Sequence, residues 1–347
     1  ARRLATDLQP VTSPEDVANL RMDLNDMLLS QGVTTASDMG EFLDYDEDTI
    51  FRLAAERNFK IRIAGYTMWK LAKKKKDFTT PPTTLQASGI FHKQGIKIIG
   101  DGSISGQTAW SYEPYLHSDS CGLQVDSDED IQNALAFCRA HHCQLSIHAM
   151  GTRTLDNALS LVAGTSPWLD PAIPSIRMEH TTEPSAEAIR QAAREGIAFV
   201  TQPVFQYAEI ETYLENIGAE RTRRAYPIAD FLDAGLRFAF STDAPATSWA
   251  FPSDPMVTLK AAVTRRSYNG IDCGQRHRVD LETAIRLYTA ESAPMLGFTD
   301  VGKIRAGYHA DFLILDRDIF SMDPSDIDQV SVQQTFVDGV LSYEKTV

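Results

Sequence analysis

Residues 144–201 read QLSIHAMGTRTLDNALSLVAGTSPWLDPAIPSIRMEHTTEPSAEAIRQAAREGIAFVT. Three five-residue segments of strand type lie in this stretch, at 144–148, 176–180 and 197–201. Between them are two segments with the apolar spacing of amphipathic helices, at 152–162 and 185–195. Short strands that alternate with helices are typical of a parallel sheet built from βα units. The stretch therefore predicts an α/β fold.

The same alternation continues on both sides of this stretch. Further runs of strand type occur at 33–36, 60–64, 95–99 and 237–241. Helical patterns accompany them at 14–31, 46–58, 127–141, 219–234, 255–265 and 280–292. The total is seven strands, whereas a closed (β/α)₈ TIM barrel needs eight. We therefore predict a barrel of this kind that lacks one strand.

The C-terminal tail has a different character. Strand patterns at 310–315 and 330–343 are joined by Asp, Pro and Gly turns, with no helical pattern between them. We predict a small β-rich appendage, and we divide the chain into a barrel at 1–300 and a β-rich unit at 301–347.

Composition narrows the range of partners. The 347 residues include 33 basic and 47 acidic side chains, which gives a net charge of -14. Such a charge repels phosphate backbones, so we expect no nucleic-acid partner. No run of 18 apolar residues occurs, so we expect no membrane span. The four cysteines show no CxxC spacing, which is typical of a reduced, cytoplasmic protein.

Four side chains that can bind metal lie in or just after separate predicted strands. They are Lys97, His148, His180 and Asp243. Active sites of βα barrels lie at the carboxyl ends of the strands. Each residue alone has an ordinary structural explanation, such as a turn aspartate or a hydrogen-bonded histidine. Together, two imidazoles and a carboxylate favour a divalent ion, with Zn²⁺ as the default.

Several ordered motifs resemble the amidohydrolase superfamily, and specifically its amidohydrolase-3 branch of N-substituted formamide deformylases and proteins described as exoenzyme regulators. They are IKIIGDGS (96–103), IHAMG (147–151), RMEH (177–180), TQPVF (201–205), STDAP (241–245), AAVTR (261–265), AGYHADFLILD (306–316) and QTFVDG (334–339). The last two resemble returning strands of the β-sandwich that flanks the barrel in this superfamily. The resemblance extends from about residue 30 to residue 343.

The resemblance implies a role for each candidate residue. Lys97 matches a lysine that many members carboxylate with CO₂, and His148 and His180 match metal ligands. Asp243 matches the aspartate that helps to hold one metal and moves the proton. The implied reaction is hydrolysis of a C–N bond by metal-activated water, with one or two ions. Arg177, Gln202 and Asp101 are weaker candidates for substrate contacts, and Arg177 is equally well explained as a structural ion-pair partner.

The chain also departs from the superfamily pattern. Members carry a His-x-His pair at the end of the first strand, and this sequence contains none. The missing pair and the strand count agree in suggesting that the first strand, the first half of the sandwich and the insertion after that strand are lacking. We therefore expect the chain alone to bind at most one metal tightly and to be a weak enzyme.

Two other functions stay open at this point. The same kind of site polarises any carbonyl-like carbon, so an esterase, a lactonase or a deaminase is an alternative. A catalytically impaired regulatory or scaffold protein is another, because the His-x-His pair is missing. In every enzymatic case the expected partner is a small-molecule substrate. Homo-oligomer formation is left open by the sequence.

Overall fold

Seven parallel strands form the main sheet of the computed structural model, which describes residues 13–41, 53–74 and 90–346. The strands are hydrogen-bonded in chain order from β1 to β7. Their bounds are β1 Thr35–Glu41, β2 Arg62–Met68, β3 Phe91–Ile99, β4 Gln144–Ala149, β5 Ile176–His180, β6 Ala198–Thr201 and β7 Phe238–Phe240. All seven predicted strands are thus confirmed. Within the described residues the sheet is a curled half-barrel, in which β1 and β7 are the end strands.

Helices connect successive strands of this sheet. Their bounds are α1 Pro14–Ser30, α2 Trp69–Ala72, α3 Asp128–Ala140, α4 Thr152–Val162, α5 Ala186–Glu195, α6 Pro203–Ala208, α7 Ile210–Arg224, α8 Ile228–Asp233, α9 Pro255–Thr264, α10 Leu281–Tyr288 and α11 Ser292–Met295. Side-chain caps fix several of the predicted starts. The Ser185 hydroxyl, for example, accepts a hydrogen bond from the Ala188 amide, and Gly196 ends α5 in a left-handed conformation.

Two helix predictions need comment. The helix predicted at 219–234 is wrong, because α7 ends at Arg224 and α8 begins at Ile228. Tyr226 has a φ of 53° and donates its amide to the Thr182 carbonyl, and Pro227 follows, so the helix cannot continue through them. Of the helix predicted at 46–58, residues 53–56 are helical, whereas 46–52 lie outside the described residues.

The two faces of the main sheet differ in polarity. Alternate residues of the strands, such as Ile96, Ile147 and Met178, pack against the helices in the largest apolar cluster. The residues between them on β3, β4 and β5 are polar, and they include Lys97 and Ser146. Because side chains alternate between the faces of a strand, these polar residues share the concave face opposite the helices.

A separate three-stranded antiparallel sheet lies at the C-terminus, as predicted. It consists of β8 Phe312–Leu315, β9 Val332–Val337 and β10 Val340–Glu344, in the order β10-β9-β8. The β9–β10 hairpin turns at Asp338 and Gly339, which both have positive φ, as a two-residue turn of this type requires. The Thr335 hydroxyl donates to the Leu29 carbonyl and so joins this sheet to α1.

We find no helix among the described segments that combines the length and the apolar character needed to cross a membrane.

Candidate metal centre

Lys97 projects from β3 into the concave side of the half-barrel. Its side chain is only 5% exposed, and it lies beside Ser146 in the register of β3 and β4. Burial lowers the pKa of Lys97 to about 8, although the negative charges of Glu179 and Asp243 oppose this shift. Among the hydrogen bonds of the described residues, none involves the Lys97 amine. A useful fraction of this amine is therefore neutral near physiological pH.

His148 and His180 lie at the carboxyl ends of the neighbouring strands β4 and β5. Their rings meet edge to face, with centroids 4.3 Å apart. His148 Nε2 lies 2.8 Å from the Gly102 carbonyl oxygen, which can only accept, so Nε2 carries the proton and Nδ1 keeps a free electron pair. The strand ends thus bring both imidazoles into one cluster.

Gln202 fixes the second imidazole. Its Nε2 donates to the Ser241 hydroxyl at 2.8 Å, and its Oε1 lies 2.9 Å from His180 Nδ1. His180 Nδ1 must therefore be the donor, which leaves Nε2 with its electron pair. Burial and the neighbouring His148 hold the pKa of His180 well below its usual value, so the ring is neutral. This is the state that a metal ligand needs.

Asp243 follows β7 and lies on the same side of the sheet. Burial raises the pKa of its carboxyl group, whereas the charges of Lys97 and His148 act in the opposite direction. The backbone is left-handed at Asp243, with a φ of 55°, and at His180, with a φ of 74°. Such conformations are unfavourable for residues other than glycine and are concentrated at functional sites. The structure therefore places the two imidazoles in contact, with Lys97 and Asp243 within electrostatic range of them.

Asp101 is held by the backbone around it. Its carboxylate accepts hydrogen bonds from the amides of Trp110, Met150 and Gly151 and from the Thr154 hydroxyl, at 2.7 to 3.0 Å. These bonds attach the loop after β3 to the start of α4. The side chain is fully buried, and its Oδ1 lies 3.3 Å from His148 Nε2.

Arg177 lies deeper in the half-barrel than the histidines, and it is paired. Its Nε and Nη2 donate to the Glu179 carboxylate at 2.5 and 3.0 Å, and its Nη1 donates to the Met295 carbonyl at 3.0 Å. Arg177 therefore makes the contacts of a structural ion-pair partner, which was one of the two explanations that the sequence left open for it. The sequence reasoning missed Glu179 and Tyr66, whose hydroxyl accepts from Arg177 Nη1. The signal that could have identified Glu179 is its alternation with Arg177 in a strand whose other residues before His180 are apolar.

The donor set fits a divalent metal only with the lysine included. In the segments that the structure describes, no three His, Cys, Asp or Glu residues form a group that could hold a metal ion. His148 and His180 are in ring contact, Asp243 lies within electrostatic range of His148, and carboxylation of Lys97 would add a second anionic oxygen ligand. Nitrogen and oxygen donors of this kind suit Zn²⁺.

Sequence comparisons match most of this chain to known proteins. The sequence profile of the amidohydrolase family matches residues 1–343. The YtcJ amidohydrolase of Bacillus subtilis (strain 168) is 30% identical over 256 residues, which is 72% of this chain and 47% of YtcJ. The N-substituted formamide deformylase of Arthrobacter pascens is 30% identical over 205 residues, which is 58% of this chain and 37% of that enzyme.

A solved structure has the same fold. It is an uncharacterized metal-dependent hydrolase of Pyrococcus horikoshii OT3, with a TM-score of 0.77 and 24% identity, and the match covers 91% of this chain and 62% of that one. The chain thus spans less than half the length of the two curated relatives named above.

Proposed function

The chain belongs to the amidohydrolase family, and from this membership we propose that it is a metal-dependent hydrolase that cleaves a C–N bond in a small amide-type substrate. One observation carries the proposal. His148 and His180 are in ring contact at the carboxyl ends of β4 and β5, and Lys97 on β3 and Asp243 after β7 lie within electrostatic range of them, at the edge where barrel enzymes hold their reacting groups.

In this proposal His148 and His180 bind the metal through the ring nitrogens that their hydrogen bonds leave free. Lys97 contributes a carbamate oxygen after its neutral amine has added CO₂ and lost a proton. With a pKa of about 8, roughly a tenth of the amine is neutral at pH 7. A bound Zn²⁺ would supply Lewis acidity, which lowers the pKa of a water molecule and polarises the carbonyl group.

Asp243 moves the proton. Burial raises the pKa of its carboxyl group, so it is a better base than an exposed aspartate. It also helps to hold the ion. Its carboxylate accepts the proton of the attacking water and returns it to the leaving nitrogen. Gln202 remains our candidate for a substrate contact. We assign Arg177 and Asp101 to support of the site, because both are buried and each is engaged by several hydrogen bonds that hold neighbouring segments together.

We propose a small molecule as the partner and residues 301–347 as a β-rich unit beside the barrel. The presence of all four donors in this sequence argues against a purely regulatory protein, since such a protein has no need of them. The donors named above suffice for one ion, and we therefore propose one ion per chain.

The test is metal content per chain, by elemental analysis, together with hydrolysis of a panel of N-formyl and N-acyl amines, esters and lactones. We expect about one equivalent of Zn²⁺, and slow release of amine that is abolished in His180→Asn. The matched control is His117→Asn, at an exposed turn. Faster turnover of the esters or lactones would replace the amide assignment. No bound metal after addition of Zn²⁺ and bicarbonate would exclude the hydrolase.

A further inference from the structure

We propose that Glu179 is a positioning residue. Its fixed negative charge, opposed by the positive charge of Arg177 farther from the strand ends, sets the affinity of the metal centre for a divalent cation. The inference rests on the function proposed above, but it concerns residues that the proposed mechanism does not use.

Glu179 is held rigidly. Its carboxylate accepts from the Ser146 hydroxyl at 2.7 Å and from two nitrogens of Arg177, and the residue is only 3% exposed. Arg177 is 2% exposed, and it also contacts the Tyr66 hydroxyl and the Met295 carbonyl. Neither charge can turn toward solvent, so both act on their surroundings from fixed positions.

The two charges of the pair arise from different positions along β5, one nearer the carboxyl end of the strand than the other. Arg177 lies beside Ser146 in the register of β4 and β5, whereas Glu179 lies beside His148, which is closer to the carboxyl ends of the strands. By backbone register the negative member therefore lies nearer the strand ends, where the candidate ligands lie, than the positive one. Lys97 and Asp243 both lie within electrostatic range of Glu179.

This difference in position has a consequence for cation binding. A nearer carboxylate attracts a divalent cation more strongly than a farther guanidinium repels it, and burial weakens the screening of both charges. Neutralising Glu179 alone leaves Arg177 as a buried positive charge beneath the site. Neutralising Arg177 alone keeps the attraction between Glu179 and the cation and removes the repulsion by the guanidinium group. A merely structural ion pair would instead weaken the site whichever member was lost.

The experiment measures Zn²⁺ affinity by competition with a chromophoric chelator, on the full chain with bicarbonate present. The variants are Glu179→Gln, Glu179→Asp, Arg177→Gln and the double Arg177→Gln/Glu179→Gln. Tyr66→Phe is the matched control, because it removes a hydroxyl contact of Arg177 without changing any charge. Circular dichroism and thermal unfolding report the fold of each variant.

We expect Glu179→Gln to bind Zn²⁺ at least tenfold more weakly than the parent, as loss of an outer-shell partner commonly does. Glu179→Asp, Tyr66→Phe and the double variant should stay within about threefold, and Arg177→Gln should bind equally or more tightly. A folded Glu179→Gln with parental affinity would overturn the inference. If Glu179→Gln does not fold, a tenfold loss in Arg177→Gln would overturn it instead, and parental or tighter binding there would support it.

The parent chain separates the two proposals. If it binds Zn²⁺ and only the variants behave differently from expectation, this inference fails and the proposed function stands. If the parent binds no Zn²⁺, the proposed metal centre fails and this inference fails with it.

Discussion

His148 and His180 lie edge to face with ring centroids 4.3 Å apart, although a helix and a long loop separate them in the chain. The contact follows from the parallel register of β4 and β5, in which Ala149 lies opposite His180. Both strands end at the same edge, and the left-handed backbone at His180 redirects its side chain there. The two rings can therefore share one cation.

The first prediction concerns this pair. Replacing His148 with Ala removes one of two neutral imidazole donors, so the affinity for Zn²⁺ should fall by at least a hundredfold while the fold is retained. Elemental analysis after dialysis against a weak chelator measures the change. The His141→Ala control, at the end of α3, should keep the parental metal content. Equal metal content in His148→Ala and the parent would contradict the role of His148.

The main sheet could be predicted because each strand is a short apolar run followed by a turn signal, and because the alternation with helices leaves few other arrangements. The ends of elements were harder to predict. β3 begins at Phe91, earlier than the apolar run at 95–99, because His92 and Gln94 are buried in spite of their polarity. The short helix α6 was missed because Pro203 at its first turn resembles a break, although proline suits that position.

The candidate site could be predicted only in part. Lys97, His148, His180 and Asp243 carry the side chains that metal chemistry uses, so their types identified them. Glu179 has only the weaker signal of its alternation with Arg177, Tyr66 has none, and the importance of both depends on the three-dimensional contacts of Arg177. The register of three strands creates these contacts, and a linear pattern does not reveal it.

The second prediction concerns Asp101. Asp101→Asn replaces one carboxylate oxygen with an amide NH2 group, which cannot accept a hydrogen bond. With the remaining oxygen at the Oδ2 position, which accepts from Trp110, Gly151 and Thr154, the NH2 group faces the Met150 amide. A buried donor without a partner costs about 1–3 kcal/mol, so the free energy of unfolding should fall by about that amount. Urea unfolding measures the loss. Asp119→Asn, on the exposed part of the same loop, should change stability by less than about 0.5 kcal/mol. A similarly small effect of Asp101→Asn would contradict the role of the Asp101 carboxylate in attaching the loop after β3 to the start of α4.

The third prediction concerns Gly151, the residue before α4. A Cβ atom there would lie 2.3 Å from the Trp110 carbonyl oxygen and 2.6 Å from the Trp110 nitrogen. Because both atoms are backbone, Gly151→Ala should separate α4 from the loop that carries Asp101 and lower the melting temperature by several degrees. Gly164→Ala is the control for which no atom lies within 4 Å, so it reports only the cost of a positive φ. If Gly164→Ala is the more damaging, the close approach at Gly151 is not important for stability.

The fourth prediction concerns His277, which is far from the metal donors in sequence and only 3% exposed. Burial, assisted by the Arg265 charge, lowers the pKa of His277 to about 4, from about 6.5 in an unfolded chain. The unfolded state therefore binds more protons between these two values, and stability must rise with pH there. The contribution is complete above about pH 6.5 and is lost as the pH falls toward 4. Between pH 7.5 and pH 5 it amounts to at most about 2 kcal/mol.

Urea unfolding at both pH values should show that His277→Gln removes this part of the pH dependence. His117→Gln, at an exposed turn, is the matched surface control. An identical pH dependence in His277→Gln and the parent would mean that His277 is not held neutral by the fold.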